Sequence, residues 1–261
     1  MVLVWGCRAL LYARDHLLVC CGDDQVVSDP WEYPEIFTGE NDVKYLICRE
    51  DVITKAELIR VGKISAAEIF ERYSPSIGNG DLILDIGAHY GGFGIWAAKQ
   101  YPWAVVHAWE PQKQLFYELC GNAAINHLEN LYAYELGVGS ASGTATCHKV
   151  DYRLATNPGA NKCTTNIDSY YIPAERAIEV KIAAIDSYNF ANVKMIKIDV
   201  EGMEGEVLDG AKQTIAASHP MILLEAWQDD KVRRDNLINT LKKSRYNKFT
   251  ILGDNIVASS L

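Results

Sequence analysis

A glycine-rich turn and a set of acidic residues at strand ends carry the chemistry that can be read from this chain. The run Leu82-Ile83-Leu84-Asp85-Ile86-Gly87-Ala88-His89-Tyr90-Gly91-Gly92-Phe93-Gly94 is an apolar strand that passes through a tight turn into a helix. Gly87 lets the backbone turn, and Gly91 and Gly92 let a ligand approach the first helical turn. Glu110 follows a second apolar run, at the sheet edge where a carboxylate can accept hydrogen bonds from both hydroxyls of a ribose. The turn departs from the Gly-x-Gly-x-x-Gly of dinucleotide folds, and an acid stands two residues before its first glycine. This spacing favours a sulfonium nucleoside over a pyrophosphate, with a nicotinamide oxidoreductase as the alternative.

Asp199 and Glu225 close two further apolar runs at the same edge, and Glu201 lies close to Asp199 in sequence. Methyl transfer from a sulfonium to a hydroxyl is a displacement that needs aligned reactants and removal of a proton, which a neighbouring carboxylate can accept. Two carboxylates could instead hold a divalent ion, with Gln228 and Asp229 as the obvious extra ligands. No third ligand stands at the expected spacing, so no metal site is assigned. His89 and His148 are the histidines placed to face a pocket, whereas His107 reads as a core residue. Tyr90, projecting from the turn, is expected to cover the sulfonium by cation–π attraction.

These residues need an alternating α/β scaffold to position them. Strands are expected at Leu82 to Ile86, Ala104 to Trp109, Leu131 to Val138, Lys194 to Ile198 and Met221 to Leu224. Helices are expected over Phe93 to Gln100, Gln114 to Asn126 and Glu204 to Ala217, with another capped by Asp229 or Asp230. Short extended pieces at Gly143 to Val150 and Ala177 to Ile185 form an insertion, and the tail reads as a β-hairpin around Gly253-Asp254. Residues 1–80 are expected to cap the cofactor pocket of a domain spanning 81–261. Within them, Asp29 to Pro34 is a loop and Thr54 caps a helix.

The blocks Leu84 to Gly91, Trp109-Glu110-Pro111, Gly137-Val138-Gly139, Ile196 to Glu204 and Pro220 to Glu225 follow one another in the order of a known family. The chain resembles the FkbM-type methyltransferases, which use S-adenosylmethionine and release S-adenosylhomocysteine. The resemblance implies a class I, Rossmann-like fold. It implies that Gly87, Ala88 and Gly91 pack on the methionine part of the cofactor, that Asp85 holds its amino group and that Glu110 takes the ribose. Gly137 and Val138 would lie along the adenine, and Asp199 at the transfer centre with Glu201 and Glu225 nearby. His89 stands where the family commonly has asparagine, and Gln112-Lys113 follows Pro111 where a second proline is frequent, leaving His89, Tyr90 and Pro111 as cofactor-loop candidates with their own chemistry. An oxygen acceptor is implied only by the resemblance. A catalytically silent nucleoside-binding sensor has the same loop.

Composition narrows the partners. A net charge of -9 opposes a role built on nucleic-acid phosphates. The basic positions from Lys231 to Lys248 read as a solvated helix face. An odd number of cysteines without Cys-x-x-Cys spacing indicates neither a disulfide framework nor a zinc site, and hence a reducing, cytoplasmic compartment. Charged residues interrupt the apolar N-terminal stretch, so no membrane span is expected. A small-molecule acceptor is the expected partner, and a homodimer is compatible with these features.

Overall fold

The computed structural model describes residues 3–5, 8–13, 16–20 and 26–27 as backbone strands, and residues 35–47, 51–152, 157–166 and 172–260. Strands β1 (Leu3–Trp5), β2 (Arg8–Ala13), β3 (His16–Cys20) and β4 (Val26–Val27) pair antiparallel in chain order. The expected loop at Asp29 to Pro34 lies outside the described residues.

A hairpin of β5 (Glu35–Thr38) and β6 (Lys44–Ile47) precedes helices α1 (Val52–Val61) and α2 (Ser65–Tyr73). Asp51, not Thr54, caps α1: its carboxylate accepts the Thr54 N–H at 3.0 Å. Aspartate at this position satisfies an otherwise unpaired helix-start donor. Gly62, at φ 74°, ends α1 in the left-handed conformation that glycine adopts without steric cost.

The remaining chain alternates strands and helices: β7 (Leu82–Ile86), α3 (Gly92–Gln100), β8 (Val105–Trp109), α4 (Lys113–Ile125) and β9 (Leu131–Tyr134). Next come β10 (Gly137–Val138), β11 (Gly143–His148), β12 (Cys163–Thr164), β13 (Ala177–Ala183) and β14 (Val193–Ile198). The chain closes with α5 (Glu204–Gly210), α6 (Lys212–Ser218), β15 (Met221–Glu225), α7 (Lys231–Lys243), β16 (Lys248–Leu252) and β17 (Asn255–Ser259).

A seven-stranded sheet has the order β16-β17-β15-β14-β7-β8-β9, parallel from β15 to β9. β17 runs antiparallel to both of its neighbours, which places the expected terminal hairpin at the sheet edge. Burial on both faces explains why the inner strands read as continuous apolar runs. Leu84 and Ile86 join a core with Val207, Ile215 and Leu237, whereas Ile83 joins Phe70, Phe93 and Trp96 on the opposite face. This is the class I, Rossmann-like α/β arrangement, and it brings the carboxyl ends of β7, β8, β14 and β15 together at one edge.

Three local expectations change. The strand from Leu131 to Val138 splits: β9 belongs to the large sheet, and β10 starts a second sheet of order β10-β13-β11-β12. The helix from Glu204 breaks at Ala211 (φ -115°, ψ 9°), where Gly210 packs directly on the Gly139 carbonyl. Cys147 and Cys163, directly opposite on β11 and β12 with Cα atoms 4.1 Å apart, form a disulfide. The cysteine reading missed this pair because it depends on strand register, which spacing alone does not reveal. Cys120 is the free cysteine among the described residues. No described helix is long and apolar enough to cross a membrane.

Candidate active site

The turn after β7 is shaped by close approach. Gly87 has φ 76°, and a methyl group there would collide with the Asp199 carbonyl, so the ends of β7 and β14 can meet only over a glycine. Gly91 (φ 90°) opens α3 and packs on Leu119 and Ile95. His89 occupies the left-handed region at φ 56°.

Glu110 is buried where the loop after β8 crosses this turn. One carboxylate oxygen accepts the His89 N–H at 2.9 Å and the other the Gln112 N–H at 2.8 Å. Burial pushes its pKa up to about 7, although these two N–H donors favour the ionised form. Glu110 faces a cavity of about 310 Å³ with Trp109, Pro111, Gly137 and Val138, against an apolar wall of Ile182 and Met203. The Glu110 carboxylate, the Trp109 indole, aliphatic side chains and the amides Asn157 and Asn161 around one cavity make a donor and acceptor set suited to a nucleoside. Gly137 keeps the slot open, since a methyl there would press on Ile182 at 2.9 Å.

Asp199, Glu201 and Glu225 line the same cavity, and each offers an oxygen within 4.8 Å of the others. Burial, then repulsion from Asp199, raises Glu201 to about 7 and Glu225 to about 8. Glu201 supplies the third carboxylate that the sequence reading sought at Gln228 and Asp229, and these three oxygens could hold a divalent cation. Its position depends on a left-handed backbone at φ 51°, followed by Gly202 at φ 130°. A second cavity of about 190 Å³ shares Thr54, Glu57, Gly87, His89, Asp199 and Glu225 with the first and is walled by Ser65 and Ala66 of α2.

Asp85 lines neither cavity. It is fully buried, accepts the Gly94 N–H at 2.9 Å and pairs with Lys197 at 3.2 Å. Its place is therefore beneath the loop rather than in the cofactor slot. Lys197 is the residue to which sequence reasoning gave no role: its ammonium also reaches Asp199 at 3.3 Å and the Gly87 carbonyl at 3.0 Å. Burial alone would lower the Lys197 pKa, but Asp85 and Asp199 outweigh burial and raise it. A lysine inside the apolar run of β14 was the available signal, since a buried charge requires partners.

The remaining candidates divide. Ala88 and Tyr90 line the second cavity rather than the first, and Gly91 lines neither. The Tyr90 ring is buried edge-on against Tyr45 and His89 and borders the second cavity rather than the first. His89 lines both cavities, with Nε2 3.7 Å from the Asp51 carboxylate, and burial lowers its pKa to about 4. His107 stacks among Tyr132, Tyr134 and Trp109 and pairs with the Tyr134 hydroxyl at 2.9 Å, while His148 lines neither cavity.

Comparison with known proteins gives the family. The chain is 23% identical over 195 residues to methyltransferase sdnD of Sordaria araneosa, covering 64% of this chain and 75% of that protein. Among solved structures, an FkbM methyltransferase from Methylobacillus flagellatus KT is 16% identical with a TM-score of 0.49, over 71% of this chain and 44% of that one. The present chain thus spans less than half of that protein's length. Trm5b from Pyrococcus abyssi is 13% identical with a TM-score of 0.47, over 100% of this chain and 63% of that one. The profile of the methyltransferase FkbM domain matches residues 85–247, from the buried aspartate of β7 to the start of the terminal hairpin. This match covers more than half of the chain, which belongs to the FkbM methyltransferase family, with the S-adenosylmethionine dependence that this membership implies.

Proposed function

We propose that this methyltransferase moves the methyl group of S-adenosylmethionine to a hydroxyl of a small molecule, sugar or natural product in the cytoplasm. The observation that carries this reading is the junction of the two cavities at Gly87, His89, Asp199 and Glu225. When bound, the cofactor supplies an electrophilic methyl on a sulfonium. On this reading Glu110 holds the ribose hydroxyls, and Trp109, Val138 and Ile182, which line the same cavity, enclose the base. Ile64, Ser65 and Ala66 wall the second cavity, which is the natural entrance for an acceptor. Glu201 and Glu225 have raised proton affinity, so either can take the acceptor's proton near neutral pH.

The test has two stages. Calorimetry should show S-adenosylhomocysteine binding without NAD binding, and transfer from labelled cofactor to a panel of hydroxyl and amine compounds should identify the acceptor. No binding of S-adenosylhomocysteine at millimolar concentration would refute the cofactor reading, and transfer only to amines would refute the oxygen reading.

The convergence of three carboxylates supports a second reading, in which a divalent cation on Asp199, Glu201 and Glu225 acidifies the acceptor. Under that reading, chelator-treated enzyme loses turnover and regains it with magnesium or manganese. Full activity in excess chelator would exclude it.

A further inference from the structure

Part of the cavity wall is built by a segment that the family blocks do not include. Asn157, Gly159, Asn161 and Cys163 all face the nucleoside slot. Three attachments hold this wall. The Gln112 amide donates to the Pro158 carbonyl at 3.3 Å, and the Tyr152 hydroxyl donates back to Gln112 at 3.1 Å. The Gly159 backbone lies on the His89 imidazole so closely that an added methyl would stand 3.1–3.2 Å from three ring atoms. The Cys147–Cys163 disulfide fastens the end of the segment to β11. Cys147 is fully buried, whereas Cys163 is partly exposed and borders the slot.

We infer that residues 157–163 are a cofactor-binding wall whose closure depends on the Cys147–Cys163 disulfide, so that reduction of this bond weakens nucleoside binding. The inference rests on the cofactor reading proposed above. A disulfide whose Cys163 is partly exposed at the edge of the slot is open to thiol exchange. A dithiol supplies the reaction: one thiolate attacks the Cys163 sulfur, and Cys147 leaves as a thiolate and takes up a proton. The second thiol then closes on the mixed disulfide, releasing Cys163 as a thiol and the reagent as its own disulfide. Two electrons pass from the dithiol to the protein. Attack from the slot is open only while the slot is empty, so cofactor and reductant compete.

The test uses the full chain, dithiothreitol and S-adenosylhomocysteine. Peptide mapping first establishes the Cys147–Cys163 linkage in air-oxidised protein. Calorimetry then compares affinity before and after reduction, and in Cys147→Ser/Cys163→Ser protein whose folding is checked by circular dichroism. The expected result is binding about tenfold weaker without the bond. By reciprocity, saturating S-adenosylhomocysteine lowers the reduction potential of the pair by about 30 mV and slows alkylation of Cys163 in dithiothreitol. This protection experiment needs no variant. Equal affinity of oxidised and reduced protein, alkylation indifferent to S-adenosylhomocysteine, or absence of the Cys147–Cys163 linkage would each overturn the inference. Absence of binding in every form would overturn the cofactor reading itself.

Discussion

At the scale of single residues, the site is a collection of acids in unequal environments. Glu110, Glu201 and Glu225 all have proton affinities raised chiefly by burial, to about 7, 7 and 8. A carboxyl whose folded pKa exceeds its unfolded value contributes stability that is complete below the unfolded pKa, near 4.5, and is lost as pH rises through the folded value. Thermal stability should therefore fall between pH 5 and pH 8.5, and Glu225→Gln should reduce that fall by roughly 2–4 °C. Melts of the two proteins across this range check it, and an unchanged slope in the variant refutes it. Asp199 is different: it shares Lys197 with Asp85 and stands at the junction of the cavities. Asp199→Ala removes the acid that ties Lys197 to the cavity junction and should reduce methyl transfer about 10²-fold, the scale of misplaced reacting groups. S-adenosylhomocysteine affinity should stay nearly unchanged; a parallel loss would make Asp199 a binding residue instead.

At the scale of elements, Asn122 of α4 and Asn126, which ends that helix, tie the β5–β6 hairpin to the cofactor loop. Asn122 accepts the Leu46 N–H and donates to the Leu46 and Tyr90 carbonyls at 3.0 and 2.8 Å, while Asn126 accepts the Lys44 N–H at 2.8 Å and donates to its carbonyl. Their side chains thus act as a neighbouring strand for β6. Asn122→Ala leaves these buried backbone groups unpaired and should cost about 2–4 kcal/mol in urea unfolding, with faster hydrogen exchange at Leu46. A cost below about 1 kcal/mol would show the contacts to be replaceable. Both asparagines are plain in the sequence, but their partners lie 76 and 82 residues away, and no local pattern reports such a distance. The parallel strands were legible because their apolar runs and closing acids are local features: β7 and β15 fall within one residue of expectation. The side sheet, the break at Ala211 and the disulfide were not legible, since each is set by contacts between segments distant in sequence. In the site, Glu110, Asp199 and Glu225 were read from strand ends, whereas Glu201, in the turn after β14, came only from the family resemblance. The displacement of Asp85 beneath the loop follows from Lys197, and that pairing becomes visible only when β7 and β14 lie side by side.

At the scale of the whole molecule, electrostatics decides which acceptors can approach. The chain carries a net charge of -9, and three acids crowd the junction where the acceptor must meet the methyl donor. The cations nearest this edge are already engaged. Lys197 is buried between Asp85 and Asp199, Arg233 pairs with Glu204, and Arg234 donates to the carbonyls of Ala226 and Gly253. On α7, Lys231 pairs with Asp235. Nucleic-acid binding requires side chains that neutralise phosphates and release their counterions, and each such contact steepens the salt dependence. An edge lined by acids, with Lys197, Arg233 and Arg234 engaged in structure beside it, opposes such binding there. A labelled RNA oligonucleotide should therefore show no saturation below about 0.1 mM protein in fluorescence anisotropy at physiological salt. Micromolar binding that weakens steeply with added salt would overturn the small-molecule reading. The same field opposes carboxylated or phosphorylated acceptors, so among matched compounds the neutral or cationic member should have the lower KM, and added salt should narrow the gap by screening.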